Sequence, residues 1–150
     1  MGRLKGTASA ELDAPIARVW DVIADIATIG EWQGTMDGVR VLDRDPDGRA
    51  LTARFEIDAK VRVLKATIRF RHEQPTRLSW RQESGDLASM DGSWTLEDLG
   101  GDRTRATYAL DIDPGFGLGM FVRGEVEQKL RERLVTRRPE ELRARLAATA

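Results

Sequence analysis

The 150-residue sequence contains no cysteine. A disulfide framework and thiolate chemistry are therefore excluded, and the redox compartment is left open. Histidine is nearly absent as well, with His72 in "RFRHEQP" the single example. One imidazole and no thiolate leave only carboxylates as metal donors, and no loop has the alternating acidic spacing of a calcium site. Neither a metal nor a cofactor is expected. Charge of one sign is also lacking. The 24 basic and 25 acidic residues are mixed along the chain for a net charge of -1, so there is no extended basic face to neutralise a phosphate backbone, and nucleic acid is not an expected partner. No apolar run approaches the length of a membrane span, and "MGRLKGTASAELDAP" has no apolar centre of signal-peptide length. No integral membrane segment is expected, and cytoplasmic residence is the default. Internal repeats and low-complexity linkers are missing too, so residues 1–150 read as one domain.

Alternation begins at once. "RLKGTASAEL" places Leu4, Gly6, Ala8, Ala10 and Leu12 on one side of a strand. Asp13 offers an N-cap and Pro15 suits a first helical turn. Ile16, Val19, Trp20 and Ile23 then form a helical stripe that continues loosely through Ile26, Ile29 and Trp32, past a break near Asp25. From residue 39 to 112 short alternating runs separated by turn signals predict an antiparallel meander. Phe55 and Ile57 share a face, as do Leu64, Ala66, Ile68 and Phe70; the preceding Val61 and Val63 are in the opposite register, which predicts a bulge near residues 63 and 64. Leu78 and Trp80, then Met90, Gly92, Trp94 and Leu96, then Ala106, Tyr108, Leu110 and Ile112 define the inner faces of three further strands, with Asp91, Glu97 and Asp111 on the outside. After "PGFGLG", the residues Phe121, Val122, Val126, Leu130 and Leu134 form the longest helical stripe. Pro139 forces a kink or restart of that helix.

Groups able to carry chemistry are sparse. His72 reads as a solvated residue at a strand end. Gly115, Gly117 and Gly119 precede a helix, but they follow a meander rather than opening a βαβ unit, so they are not a dinucleotide fingerprint. A glycine-rich loop bearing Phe116 reads instead as a flexible connection. No carboxylate pair or nucleophile-elbow serine stands out, and no catalytic residue is assigned.

The order strand, two short helices, six-strand meander and C-terminal helix, with "DAPIARVWDVIADIATIGEW", "PTRLSW", "GSWTLED", "GGDRTRATYALDI" and "RRPEEL", resembles the START-related SRPBCC superfamily. Its members share the helix-grip fold and include polyketide cyclase and dehydrase-like proteins and lipid-transfer domains. The resemblance implies an α+β fold in which a seven-stranded antiparallel sheet wraps a long C-terminal helix, the two short helices after strand 1 closing one end of an elongated apolar cavity. The ligand-binding cavity would be lined by Trp32, Phe55, Ile57, Ile68, Phe70, Trp80, Met90, Gly92, Trp94, Tyr108 and Leu110, with Phe116 from the glycine-rich loop beside its mouth and Phe121 and Val122 from the C-terminal helix. Gly92 would keep volume open, and Tyr108, with Gln82 or Thr104, would supply the hydrogen bonds. The same alternation would also be written for a solid core. The expected function is binding, with transport in view, of a small hydrophobic or amphipathic molecule such as a lipid, isoprenoid or polyketide. The alternative is a cyclase or aromatase in the same cavity. A third class is an interaction module using the charged helix "EVEQKLRERLVTRR".

Overall fold

The computed structural model describes residues 3–59, 62–119 and 122–149. Strand β1 (Leu4–Leu12) leads to helix α1 (Ile16–Ala24) and a 3₁₀ helix (Ile26–Glu31). Six strands follow: β2 (Met36–Arg44), β3 (Ala50–Asp58), β4 (Val63–Glu73), β5 (Arg77–Gly85), β6 (Ser89–Gly100) and β7 (Arg103–Asp113). Short helix α2 (Gly115–Gly119), α3 (Gly124–Arg131), a π turn (Glu132–Thr136) and α4 (Arg138–Ala148) complete the chain. The strands form one antiparallel sheet in the order β1-β7-β6-β5-β4-β3-β2. Sequential hairpins make the meander, and β1 returns to its far edge, with Leu4 opposite Ile112 and Leu12 opposite Thr104. This is the helix-grip arrangement.

Helix α1 starts without its expected cap. Asp13 points outward, its side chain 93% exposed and 3.3 Å from Arg103, while the Pro15 carbonyl accepts the first N–H bonds from Arg18 and Val19. Asp25, at ψ 79°, leaves the α-helical region and ends α1 where the sequence placed the break. Val19, Trp20 and Ile23 of α1, with Ile26 and Ile29 of the 3₁₀ helix, turn inward.

Alternation dictates the inner face of the sheet. Phe55 and Ile57 on β3, Leu64, Ala66, Ile68 and Phe70 on β4, and Ala106, Tyr108, Leu110 and Ile112 on β7 are all buried. The first turn of β3 departs from the pattern: Thr52 is buried beside Ala53, its hydroxyl donating to Asp43 Oδ2 at 2.9 Å. The bulge is not at residues 63 and 64. Asp58 pairs with Val63 and Ile57 with Leu64 in unbroken register, and Val63 is simply 46% exposed at the strand end. The shift lies across the other edge of β4, where Thr67 pairs with Ser84 but Ile68 with Gln82, leaving Glu83 as the extra residue on β5. Val61 lies outside the described residues.

The C-terminal helix is continuous but not uniform. Its inward residues, Leu130, Leu134, Arg138, Leu142 and Leu146, recur at a strict spacing of four. At about 100° per residue that spacing drifts by roughly 40° at each step around an α-helix, so a regular helix would carry the stripe off the core. The π turn, in which Arg137 N–H reaches back to Glu132 O at 3.1 Å, widens the helix and takes back part of the drift. It also lies just before Pro139, whose nitrogen has no proton to give. Val126, expected on the stripe, is 36% exposed. Arg131 Nε donates to Lys5 O, Arg18 Nη2 to Leu146 O and Arg143 Nη2 to Glu11 O, fastening the helix to β1 and α1.

Candidate functional site

Between the inner face of the sheet and the C-terminal helix lies a cavity of about 50 Å³. Every strand from β2 to β7 contributes to its wall: Met36, Phe55, Ile57, Leu64, Ile68, Phe70, Leu78, Trp80, Met90, Trp94, Tyr108, Leu110 and Ile112. Ile23 and Ile29 close one end as the opening helices pass over the sheet, Leu87 comes from the β5–β6 connection, Gln33 from the segment before β2, and Leu134 and Arg138 from the helix. A second cavity of about 40 Å³ shares Leu64, Leu87, Ile112 and Leu134 with the first and adds Leu4, Ala59, Pro114, Val122 and Leu130. Ala59 and Leu130 in turn border a surface hollow of about 870 Å³ beside α3 and the π turn. Neighbouring voids thus share wall residues, the first cavity with the second and the second with the surface hollow.

Aromatic rings cross the strands in a connected row. Ring centroids of Phe55 and Phe70 are 6.0 Å apart, Phe70 and Trp80 6.2 Å, Trp80 and Tyr108 5.6 Å, and Tyr108 and Trp94 4.8 Å, within the range in which tilted and edge-on pairs attract. Met36 and Trp80 are the half-buried members of the wall. Pairing of β5 with β6 runs from Arg77–Thr95 to Arg81–Asp91 and stops there, so the strands part just beyond Trp80, and Gln82 spans the split by donating to Leu87 O at 2.8 Å.

Nine residues of the sequence-derived series surround the first cavity: Phe55, Ile57, Ile68, Phe70, Trp80, Met90, Trp94, Tyr108 and Leu110. Five do not. Trp32 is buried against Trp94, with centroids 6.5 Å apart, and contributes no wall. Gly92 does not hold volume open, because the Trp80 indole occupies the space where a side chain would stand. Phe116 is 81% exposed, since Gly115, at φ +88°, turns the chain outward after β7. Val122 borders the second cavity, and Phe121 lies outside the described residues. Thr104 donates to Ala14 O and Gln82 Nε2 to Leu87 O, while the buried Gln82 Oε1 has no hydrogen-bond partner among the described residues; neither residue borders the first cavity.

His72 is half-buried rather than free in solvent. Its Nε2 lies 2.7 Å from Ala50 O and its ring meets Trp20 edge-on at 6.2 Å, a packing role away from the cavity. Among the described residues no group of three or more His, Asp or Glu side chains could hold a metal ion, and no helix is long and apolar enough to cross a membrane.

Arg138 is the residue that sequence reasoning missed. It is fully buried, its Nη1 donating to Glu141 Oε1 at 2.7 Å and its Nη2 to the Thr35 hydroxyl. Its guanidinium carbon is 5.8 Å from the centre of the Tyr108 ring. Burial pushes the Tyr108 phenol above its ordinary pKa, with the Arg138 charge pulling the other way. As the last residue of "EVEQKLRERLVTRR" the arginine reads as part of a charged, exposed helix; the four-residue spacing from Leu130 and Leu134 to Leu142 was the signal that it faces inward.

The sequence model of the polyketide cyclase / dehydrase and lipid transport family matches residues 12–137. The chain belongs to that family. Solved structures of similar fold include a START superfamily protein from Mycobacterium smegmatis, 18% identical with a TM-score of 0.82 over 99% of this chain and 100% of that one. A protein from Thermus thermophilus is 19% identical, with a TM-score of 0.84 over 97% of this chain and 99% of that one. An aromatase/cyclase from a Streptomyces species is 21% identical, with a TM-score of 0.66 over 98% of this chain and 84% of that one. At these identities the likeness establishes the helix-grip fold, which the family members and this chain share. No curated protein matches the sequence.

Proposed function

We propose that this family member binds a small hydrophobic or amphipathic molecule between its sheet and its C-terminal helix. The observation that carries the reading is the cavity between sheet and helix, whose wall among the described residues is apolar but for Gln33, Tyr108 and Arg138. At about 50 Å³ it holds a few waters at most, far below the several hundred Å³ of a site filled by a lipid-sized ligand. Binding therefore requires the wall to open. The second cavity lies behind Leu64 and Leu134, and the half-buried Trp80 and Met36 have the freedom to shift. Burying about 300 Å² of apolar ligand surface would gain roughly 7 kcal/mol before association costs, so micromolar affinity or weaker is expected.

Titratable groups on the wall are Tyr108 and Arg138. The Tyr108 phenol, raised further above its ordinary range by burial, is a hydrogen-bond donor near neutral pH and can hold a polar atom of a ligand in place. The test is native mass spectrometry of protein purified from its own host, together with titration of an environment-sensitive hydrophobic dye. A retained small molecule, or saturable dye binding near one site per chain, is the expected result. Absence of both would overturn the reading in favour of a solid core.

A further inference from the structure

The cavity has two chemically different ends. Toward the second cavity its wall is Leu64, Leu87, Ile112 and Leu134, all aliphatic. Gln33, Tyr108 and Arg138 line the first cavity and not the second, and among the described residues Arg138 is the only cation on its wall. We propose that Arg138 is a binding residue for an uncharged oxygen acceptor, a ketone or similar carbonyl, at the leading end of an otherwise apolar ligand. This rests on the reading that the cavity takes a ligand.

The argument begins with the donors of the guanidinium. Arginine carries five N–H groups and no acceptor. Glu141 and Thr35 take bonds from the two terminal nitrogens, while Nε, also buried, has no hydrogen-bond partner among the described residues. An unmade bond from a buried charged donor is costly, and a ligand oxygen would relieve that cost only in the complex. Charge balance then selects the oxygen. Glu141, its side chain 20% exposed, already neutralises Arg138 through Oε1 and is itself anchored by the Gly34 N–H at Oε2, 2.7 Å away. A carboxylate arriving beside this satisfied pair would be a second anion in a largely apolar cavity with no cation of its own, a larger cost than a neutral dipole meets. The Tyr108 hydroxyl interacts with the same guanidinium through its oxygen and keeps its own O–H to donate to the same kind of guest.

Three probes of one shape separate the possibilities: 2-acetylnaphthalene, its hydrocarbon isostere 2-isopropenylnaphthalene, and 2-naphthoate, titrated calorimetrically into the full chain. The ketone is expected to bind at least tenfold tighter than the alkene and tighter than the naphthoate. In Arg138→Lys, which keeps a cation facing Glu141 but loses the Nε–H and the planar fork, the ketone's advantage should vanish while the alkene binds as before. Should the lysine variant not fold, the Arg138 Nε–H resonance of the wild-type protein replaces it. That resonance should shift with the ketone and stay in place with the alkene. Equal binding of ketone and alkene would overturn the role of Arg138 and leave the cavity reading standing. Tightest binding of the naphthoate would overturn the neutral-oxygen assignment. A ketone preference retained in Arg138→Lys would place the acceptor elsewhere. Failure of all three probes to bind would overturn the cavity reading itself, and this proposal with it.

Discussion

The indole of Trp80 on β5 lies over Gly92, its register partner on β6, and reaches past it to the Tyr108 ring on β7. A Cβ built on Gly92 would fall 2.5 Å from Trp80 Cζ2 and closer still to the indole nitrogen. Glycine here gives one aromatic ring passage across a whole strand. Gly92→Ala is therefore expected to destabilise the protein by roughly 1 to 3 kcal/mol, as overpacking does, and to shift tryptophan emission as the indole is displaced. Urea unfolding with fluorescence detection checks both. Unchanged stability with unchanged emission would mean that the ring does not rest on Gly92.

Leu134 forms part of the wall of both cavities. Leu134→Ala should merge them, costing about 2 to 5 kcal/mol in stability while creating room for a small apolar guest. Thermal melts with and without benzene are the measurement. The melting temperature of the variant should fall and then recover in part with benzene, whereas the wild type should respond little.

Thr104 is fully buried and its hydroxyl donates to Ala14 O at 2.7 Å, tying β7 to the start of α1. Thr104→Val keeps the shape but strands a buried carbonyl, at an expected cost of about 1 to 3 kcal/mol. Thr104→Ser keeps the hydroxyl and should lose less. Chemical denaturation of the pair decides it: equal losses would show that the methyl group, rather than the bond, matters.

Arg3 holds the Asp111 carboxyl below its ordinary pKa through a 2.7 Å hydrogen bond, burial opposing it less strongly. A depressed carboxyl contributes stability that is fully present above its unfolded pKa near 3.8 and is lost as pH falls through the folded value. The gap in denaturation midpoint between wild type and Asp111→Asn should thus be open near neutral pH and close in acid. It should also shrink in high salt, because Arg3 is half exposed. A gap constant across pH would exclude this linkage.

The inner face of the sheet was legible because alternation is a local property. Phe55, Ile68, Trp94 and Tyr108 each announce their side within a few residues. What escaped depends on how strands are laid together. The bulge at Glu83 belongs to the pairing of β5 with β4, and no single strand encodes it. Likewise, the use of the space above Gly92 depends on which residue of β5 stands opposite. Phe116 misled because an aromatic next to glycine is equally at home in a mouth or on the surface. Arg138 misled more deeply: its charge argued for solvent, while its place between Leu134 and Leu142 argued for the interior, and position prevailed because Glu141 and Thr35 were there to receive it.

The return of β1 to the far edge of the sheet bears on how quickly the protein can be made. Each hairpin of the meander closes a short loop, but β1 joins β7 only when residues 108 positions apart, such as Arg3 and Asp111, come together. Closing so long a loop is entropically slow. Strands β2 to β7 can pair neighbour by neighbour before that happens, leaving the outer edge of β7 unpaired in the interval. Folding should then show a late phase in which amide protons along β1 and β7 gain protection together, after those of β3 and β4, and that interval is when the chain is most exposed to pairing with another copy of itself.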